Sequence, residues 1–180
     1  MSKDILEKGL LPGMDIVGQR FKVCEMFIPE VLRSAKCMHD AMNVIRPLLS
    51  ASDAAGAGTV VLGAVEGDLH DIGKNLVGSM LEGAGFEVFD VGIDVPPEKF
   101  LEAVRSRNAH ILALSALLTF TMPEMKNVIA AFEQSGVRNQ VKIIVGGAPV
   151  TRGFADEIGA DGYGENASSA VTLARTLLGK

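Results

Sequence analysis

Asp68 and His70 stand two residues apart in the stretch Glu66-Gly67-Asp68-Leu69-His70-Asp71-Ile72-Gly73, and that spacing suits one kind of chemistry. A carboxylate that accepts one ring N–H fixes the imidazole tautomer and makes the opposite nitrogen a better metal ligand. No second His, no Cys and no acidic ligand set accompanies the pair, whereas zinc wants three or four protein ligands. A metal on His70 must therefore arrive with its other ligands already supplied, as a macrocycle-bound metal does. The other two histidines, His39 and His110, fall in a helix and at the start of a strand, where a structural or solvated role is enough.

The elements that must position this pair can be read from hydrophobic periodicity. Short, mostly β-branched apolar runs at 59–65, 86–91, 110–115 and 141–145, with a shorter one near 161–163, predict strands. Amphipathic segments at 73–82, 97–106, 123–134, 152–157 and 167–178 predict the helices between them. Alternation of this kind implies right-handed crossovers and an α/β fold. Five units predict a flavodoxin- or Rossmann-like, doubly wound parallel five-stranded sheet of order 2-1-3-4-5. Ligands bind such sheets beyond the carboxyl ends of the strands, where the order reverses, here between strands one and three. Strand one runs into the Asp68–His70 loop, strand three into Ser115-Ala116-Leu117-Leu118-Thr119, strand four into Gly146-Gly147-Ala148, and strand five lies in Gly162-Tyr163-Gly164. Glycines and hydroxyls thus collect at one edge.

The first 50 residues read as helix. Ile16, Val17, Phe21 and Cys24 share one side of a short helix over 15–24. Val31, Leu32, Ala35, Met38, Met42 and Ile45 recur at helical spacing between Pro29 and Pro47. Residues 51–58 are rich in Ala, Ser, Asp and Gly and predict a linker. The expected organisation is a helical cap over 1–50, the linker over 51–58 and the α/β domain over 59–180.

Composition bounds the rest. The 180 residues carry a net charge of −5, with 20 Gly, two Cys and no Trp. An acidic chain lacks the basic footprint of a nucleic-acid binder. There is no apolar run long enough for a membrane span and no signal-peptide core at the start, so the expected location is cytoplasmic, with no membrane partner. Cys24 and Cys37 read as buried thiols, and Met14, Met26, Met38 and Met42 as core filler rather than metal ligands.

Asp68-x-His70-x-x-Gly73 matches the Asp-x-His-x-x-Gly motif of cobalamin-binding modules. With Ser115-x-Leu117 after strand three and Gly146-Gly147 after strand four, the chain from about Leu10 onward resembles the corrinoid proteins of methyltransferase systems and the cobalamin-binding module of methionine synthase. The cap residues Gly13-Met14, Val17-Gly18, Phe21 and Phe27-Ile28-Pro29-Glu30-Val31 carry the same likeness. The resemblance implies cobalamin, as methylcobalamin or another corrinoid, and with it cobalt. It implies a nucleotide tail detached from cobalt and inserted into the sheet edge, with His70 as the lower metal ligand, Asp68 as its acceptor and Ser115 as the next hydroxyl. Leu69, Asp71, Ile72, Gly73, Leu117, Thr119, Gly146, Gly147, Ala148 and Tyr163 would contact the cofactor. Among these, Gly73, Gly146 and Gly147 would let backbone approach the tail, while Met14, Phe21, Ile28 and Val31 would serve the cap side.

The implied role is a methyl carrier rather than a stand-alone catalyst. It would work between a donor-side and an acceptor-side methyltransferase, as in O-demethylase, methylamine or methanol systems of one-carbon metabolism, with a reductive activating protein as a further partner. The alternatives are the cobalamin-binding subunit of an adenosylcobalamin-dependent mutase, or a cobalamin-dependent regulator. A phosphoacceptor receiver or flavin-binding module of the same fold is a further alternative; a receiver would want an acidic pair after strand one and an Asp where this chain has Ser115. The family's four-helix cap needs roughly 80–90 residues, and this chain offers 58 before its first strand. An apolar stripe on the second helix would then lie uncovered, and pairing of two chains through the short cap is the expected remedy.

Overall fold

A computed structural model describes residues 2–48 and 56–180. β1 (Gly58–Val65), β2 (Phe86–Val95), β3 (Ile111–Ser115), β4 (Lys142–Gly146) and β5 (Gly162–Gly164) form one all-parallel sheet of order β2-β1-β3-β4-β5. This is the flavodoxin-like order expected from the alternation. Both faces are covered, so the strands are apolar throughout rather than alternating with polar residues. Val61, Val65, Leu112, Leu114, Ile143 and Val145 face α5 (Pro97–Arg107), α6 (Met122–Gln134) and α7 (Arg152–Glu157). On the other face, Val60, Leu62, Ile111, Ala113 and Ile144 meet α4 (Ile72–Gly83) and α8 (Ala167–Leu177).

The N-terminal segment departs from expectation in length. Helix runs from α1 (Ser2–Ile5) through a π-helical turn (Leu6–Leu10) into α2 (Leu11–Lys22), whereas periodicity alone predicts a helix only over 15–24. Gly9 and Gly13 look like breakers, yet a Cβ would meet nothing within 4 Å at either. Pro12 sits in the first turn of α2, where a missing N–H is tolerated. A turn then leads to α3 (Ile28–Ile45). The expected linker over 51–58 lies mostly outside the described residues.

The longer helix removes the reason for a second chain. Val31, Ala35, Met38 and Ile45 of α3 are all buried within one chain, beneath Leu6, Leu10, Leu11, Met14, Val17 and residues of α4 and α8. The stripe expected to drive dimerisation is already covered, so that argument for a homodimer fails. α2 is fastened to the sheet domain as well. Arg175 donates to Asp15 at 2.8 Å, Ser168 Oγ donates to the Gly18 carbonyl at 3.2 Å, and Met14 packs directly on Gly83, where a Cβ would push the Met14 side chain aside. Cys24 and Cys37 are exposed, not buried. Among the described residues no helix is long and apolar enough to cross a membrane.

Candidate functional site

β1 ends in a turn whose Gly67 takes φ +77°, a conformation suited to glycine, and the Asp68 N–H closes it on the Val65 carbonyl at 3.0 Å. This drives the Asp68 side chain under the loop, where it is fully buried. Its Oδ1 accepts from the His70 backbone N–H at 3.1 Å and faces His70 Nδ1 at 2.8 Å. Its Oδ2 accepts from the Leu117 N–H and from Thr121 Oγ1, each at 2.7 Å. The imidazole is held by one edge with its ring 46% exposed, and Nε2 is the nitrogen left for a ligand.

The hydroxyl that meets Asp68 is therefore Thr121, which the sequence pattern does not single out. Ser115, expected in that role, makes no hydrogen bond to the carboxylate and lines the adjoining cavity. Burial alone would raise the Asp68 carboxyl. The Thr121 hydroxyl, the Leu117 N–H and the His70 backbone and ring N–H groups outweigh it and bring the carboxyl down to about 2.

A depressed carboxyl stabilises the fold above its unfolded value of about 3.9, and that contribution is lost as pH falls through about 2. The difference amounts to about 2 kcal/mol. We expect Asp68→Asn to be less stable than wild type above about pH 4, with the gap closing by about that amount between pH 4 and pH 2. Urea unfolding of both proteins across this range is the measurement, and a gap independent of pH would contradict the clamp.

Beside His70 opens a cavity of about 530 Å³, reaching from the loop ends down between the sheet, α4 and α8. Its mouth is lined by Leu69, His70, Asp71, Ile72, Gly73, Ser115, Leu117, Gly146, Gly147 and Ala148, all expected from the sequence. Its depth is apolar, with Leu62, Ala113 and Ile144 of the sheet, Leu76 and Val77 of α4 and Ala167 and Ala170 of α8, none of them anticipated. Lys74 lines it too, almost wholly buried, its ammonium committed to Asp90 and to Asn75 Oδ1.

Five expected contacts fall elsewhere. Thr119 is exposed, off the cavity wall, and Tyr163 packs on the opposite face of the sheet. Met14 belongs to the cap core, and Ile28 is 42% exposed without lining the cavity. Val31 is buried in the sheet-facing cluster, so Phe21 is the cap residue that reaches the cavity. The glycines divide in purpose. A Cβ at Gly147, where φ is +135°, would overlap the Ala116 carbonyl oxygen, and one at Gly146 would lie 2.9 Å from the Gly164 carbonyl oxygen. These two let the strand-end loops close on one another, whereas Gly73 has nothing within 4 Å and faces open cavity.

These residues fit a corrinoid. Among the described residues no three His, Cys, Asp or Glu side chains gather to hold a metal ion, so a metal on His70 must bring its own equatorial ligands. Around the imidazole, Leu69, Ile72 and Leu117 are exposed apolar side chains, a surface suited to a flat, largely apolar macrocycle. The cavity alongside has room for an appended group.

Comparison with known proteins agrees. A B12 binding domain matches residues 58–172, and a second family also described as a B12 binding domain matches residues 2–46. The chain belongs to the B12-binding family. Dimethylamine corrinoid protein 1 of Methanosarcina acetivorans is 46% identical to this B12-binding chain over 176 residues, spanning 97% of it and 83% of the relative. A novel cobalamin-binding protein from Desulfitobacterium hafniense DCB-2 shares 37% identity at a TM-score of 0.83, over 97% of this chain and 82% of that one. The methanol:cobalamin methyltransferase complex MtaBC from Methanosarcina barkeri matches at a TM-score of 0.87 and 32% identity, over 99% of this chain and 69% of that one.

Proposed function

We propose that this B12-binding chain is a cytoplasmic methyl carrier that binds its corrinoid with the nucleotide tail detached and His70 in the tail's place. When bound, the corrinoid supplies cobalt that accepts and releases a methyl group, chemistry that belongs to the cofactor. The protein's share is ligation, shielding and docking. The single observation that carries the reading is the placement of His70, its Nδ1 fixed on the buried Asp68 carboxylate, at the mouth of an apolar cavity. Asp68 holds the tautomer that leaves Nε2 as the donor and adds negative charge behind the ring, which raises its basicity. Leu62, Ala113, Ile144, Val77 and Ala170 would receive the detached tail, with Gly73 leaving room at its entrance. Phe21, brought by α2, would shield the site from the cap side.

The methyl donor and acceptor would be bound by methyltransferase partners, a reading supported by the likeness to a methanol:cobalamin methyltransferase complex. The dimethylamine corrinoid relative favours a methylated amine as the source. A reductive activating protein would be the further partner, returning oxidised cobalt to the carrier cycle.

Reconstitution tests the reading. Apo-protein incubated with cobalamin should retain one corrin per chain after gel filtration. With a methylamine methyltransferase, a labelled methylamine and a reductant, label should then appear on the protein-bound corrin and be passed on by an acceptor-side methyltransferase. Retention of the corrin without turnover with any methylated amine, methanol or methoxyaromatic donor would exclude the carrier role.

A further inference from the structure

The side-chain clamp on Asp68 would be of little use if the backbone beneath it were loose, and the backbone is tied from one place. Asp94, next to last in β2, accepts the Gly67 N–H on its Oδ1 at 2.7 Å and donates its own N–H to the Asp68 carbonyl at 3.0 Å. One residue thus grips the peptide group before Gly67 and the peptide group after Asp68. It does so with φ at +54°, a left-handed conformation that is uncommon for non-glycine residues but for which Asp is among the best suited.

The sheet delivers Asp94 to this place by an irregularity. From the Leu62–Asp90 pair to the Val65–Val95 pair, β1 advances 3 residues (65 − 62) and β2 advances 5 (95 − 90), with shifts on both sides of Gly63. Extra residues in one strand bend it and re-aim the side chains beyond the bend, a device frequent beside functional sites. Here the bend turns Asp94 away from the ladder and toward the loop after β1. The Asp94 side chain itself is exposed and adds nothing to the core.

We propose that Asp94 is a positioning residue for the His70 imidazole, acting through the Gly67–Asp68 backbone rather than by touching the cofactor. Its consequence for cobalt rests on the reading of His70 as lower ligand; the positioning itself does not. Loss of the Asp94 acceptor frees the Gly67 N–H, lets the Asp68 carboxylate shift against Nδ1, and releases the ring from a single tautomer.

The test is made first on the apo-protein. Long-range nitrogen–proton spectra of protein labelled with ¹⁵N-histidine, recorded well above the imidazole titration range, report the two tautomers of His70. Wild type should hold the Nδ1–H form. Asp94→Ala should raise the other tautomer several-fold, and Asp94→Asn, which keeps both an acceptor oxygen and tolerance of left-handed backbone, should restore the wild-type ratio. Asp94→Gly accepts the same φ without strain but has no acceptor, so it should behave like Asp94→Ala; it also carries the test if the alanine variant fails to fold. An unchanged ratio in Asp94→Gly, or a shift in Asp94→Asn as large as in Asp94→Ala, overturns the proposal. Loaded with cobalamin, Asp94→Gly should bind roughly 10-fold more weakly, the lower end of losses seen when partners behind a metal ligand are removed. A shifted tautomer ratio with no histidine–cobalt coupling in the loaded wild type would instead remove His70 as ligand and leave the positioning role standing.

Discussion

Replacing His70 with alanine should abolish nitrogen coupling to cobalt(II) and leave the protein folded. The imidazole stands at the surface with one edge bonded to Asp68, so its removal opens no core cavity. Asp68 keeps the bonds from Leu117 and Thr121, and its Oδ1, freed of the ring, becomes open to water. No other imidazole can substitute. His110 accepts the Thr59 N–H at 3.1 Å at the opposite end of the strands, and His39 sits on α3 about 4.0 Å from Glu82. We expect affinity for cobalamin to fall roughly 10–100-fold, the range found when a metal ligand's support is lost, with residual binding carried by the apolar cavity. Paramagnetic resonance of protein labelled with ¹⁵N-histidine decides it. Splitting that survives in His70→Ala, or that tracks the benzimidazole of the tail in wild type, would show the assignment to be wrong.

A second large effect should come from Gly73 and should separate stability from loading. Gly73 is the second residue of α4, lines the cavity and has open space where a Cβ would stand. Glycine within a helix costs roughly 0.5–1 kcal/mol relative to alanine, so Gly73→Ala should melt slightly higher than wild type. Gly73→Leu places a branched side chain in the cavity mouth instead. Forcing a ligand into an overfilled site costs typically about 1–3 kcal/mol, which is roughly 10–100-fold in affinity. Calorimetry on the apo-protein and cobalamin titration of the same samples give the two readouts. Full loading of the leucine variant would mean that the tail enters elsewhere.

How far the sequence could be read depended on whether the determining contact was local. Strands and helices after residue 58 are set by period and by glycine punctuation, and the motif loops fall at one edge because parallel strands all end on the same side. Thr121 was out of reach for the opposite reason. It lies 53 positions from Asp68, beyond the loop that carries Ser115 and Thr119, and only the fold of that loop turns it inward. Tyr163 was misplaced because β5 is three residues long, too short for its alternation to reveal which face each side chain takes. The early start of the N-terminal helix was hidden by Gly9, Pro12 and Gly13, whose low helix propensity is overridden once Leu6, Leu10 and Met14 cover α3. Exposure of Cys24 and Cys37 shows the reverse error, a residue type usually buried placed on the outer side of its helix or in a turn.

The fastening of α2 to α8 also sets an order of events during synthesis. Asp15 and Gly18 leave the ribosome long before Arg175 and Ser168, their partners 160 and 150 residues further along. Closing a loop of that length costs about 4 kcal/mol of chain entropy, so this fastening forms only once the sheet has assembled and α8 has packed. Until then α4 is the neighbour that can cover Val31 of α3, through Leu76, Met80 and Leu81. The segment made first is the one fastened last.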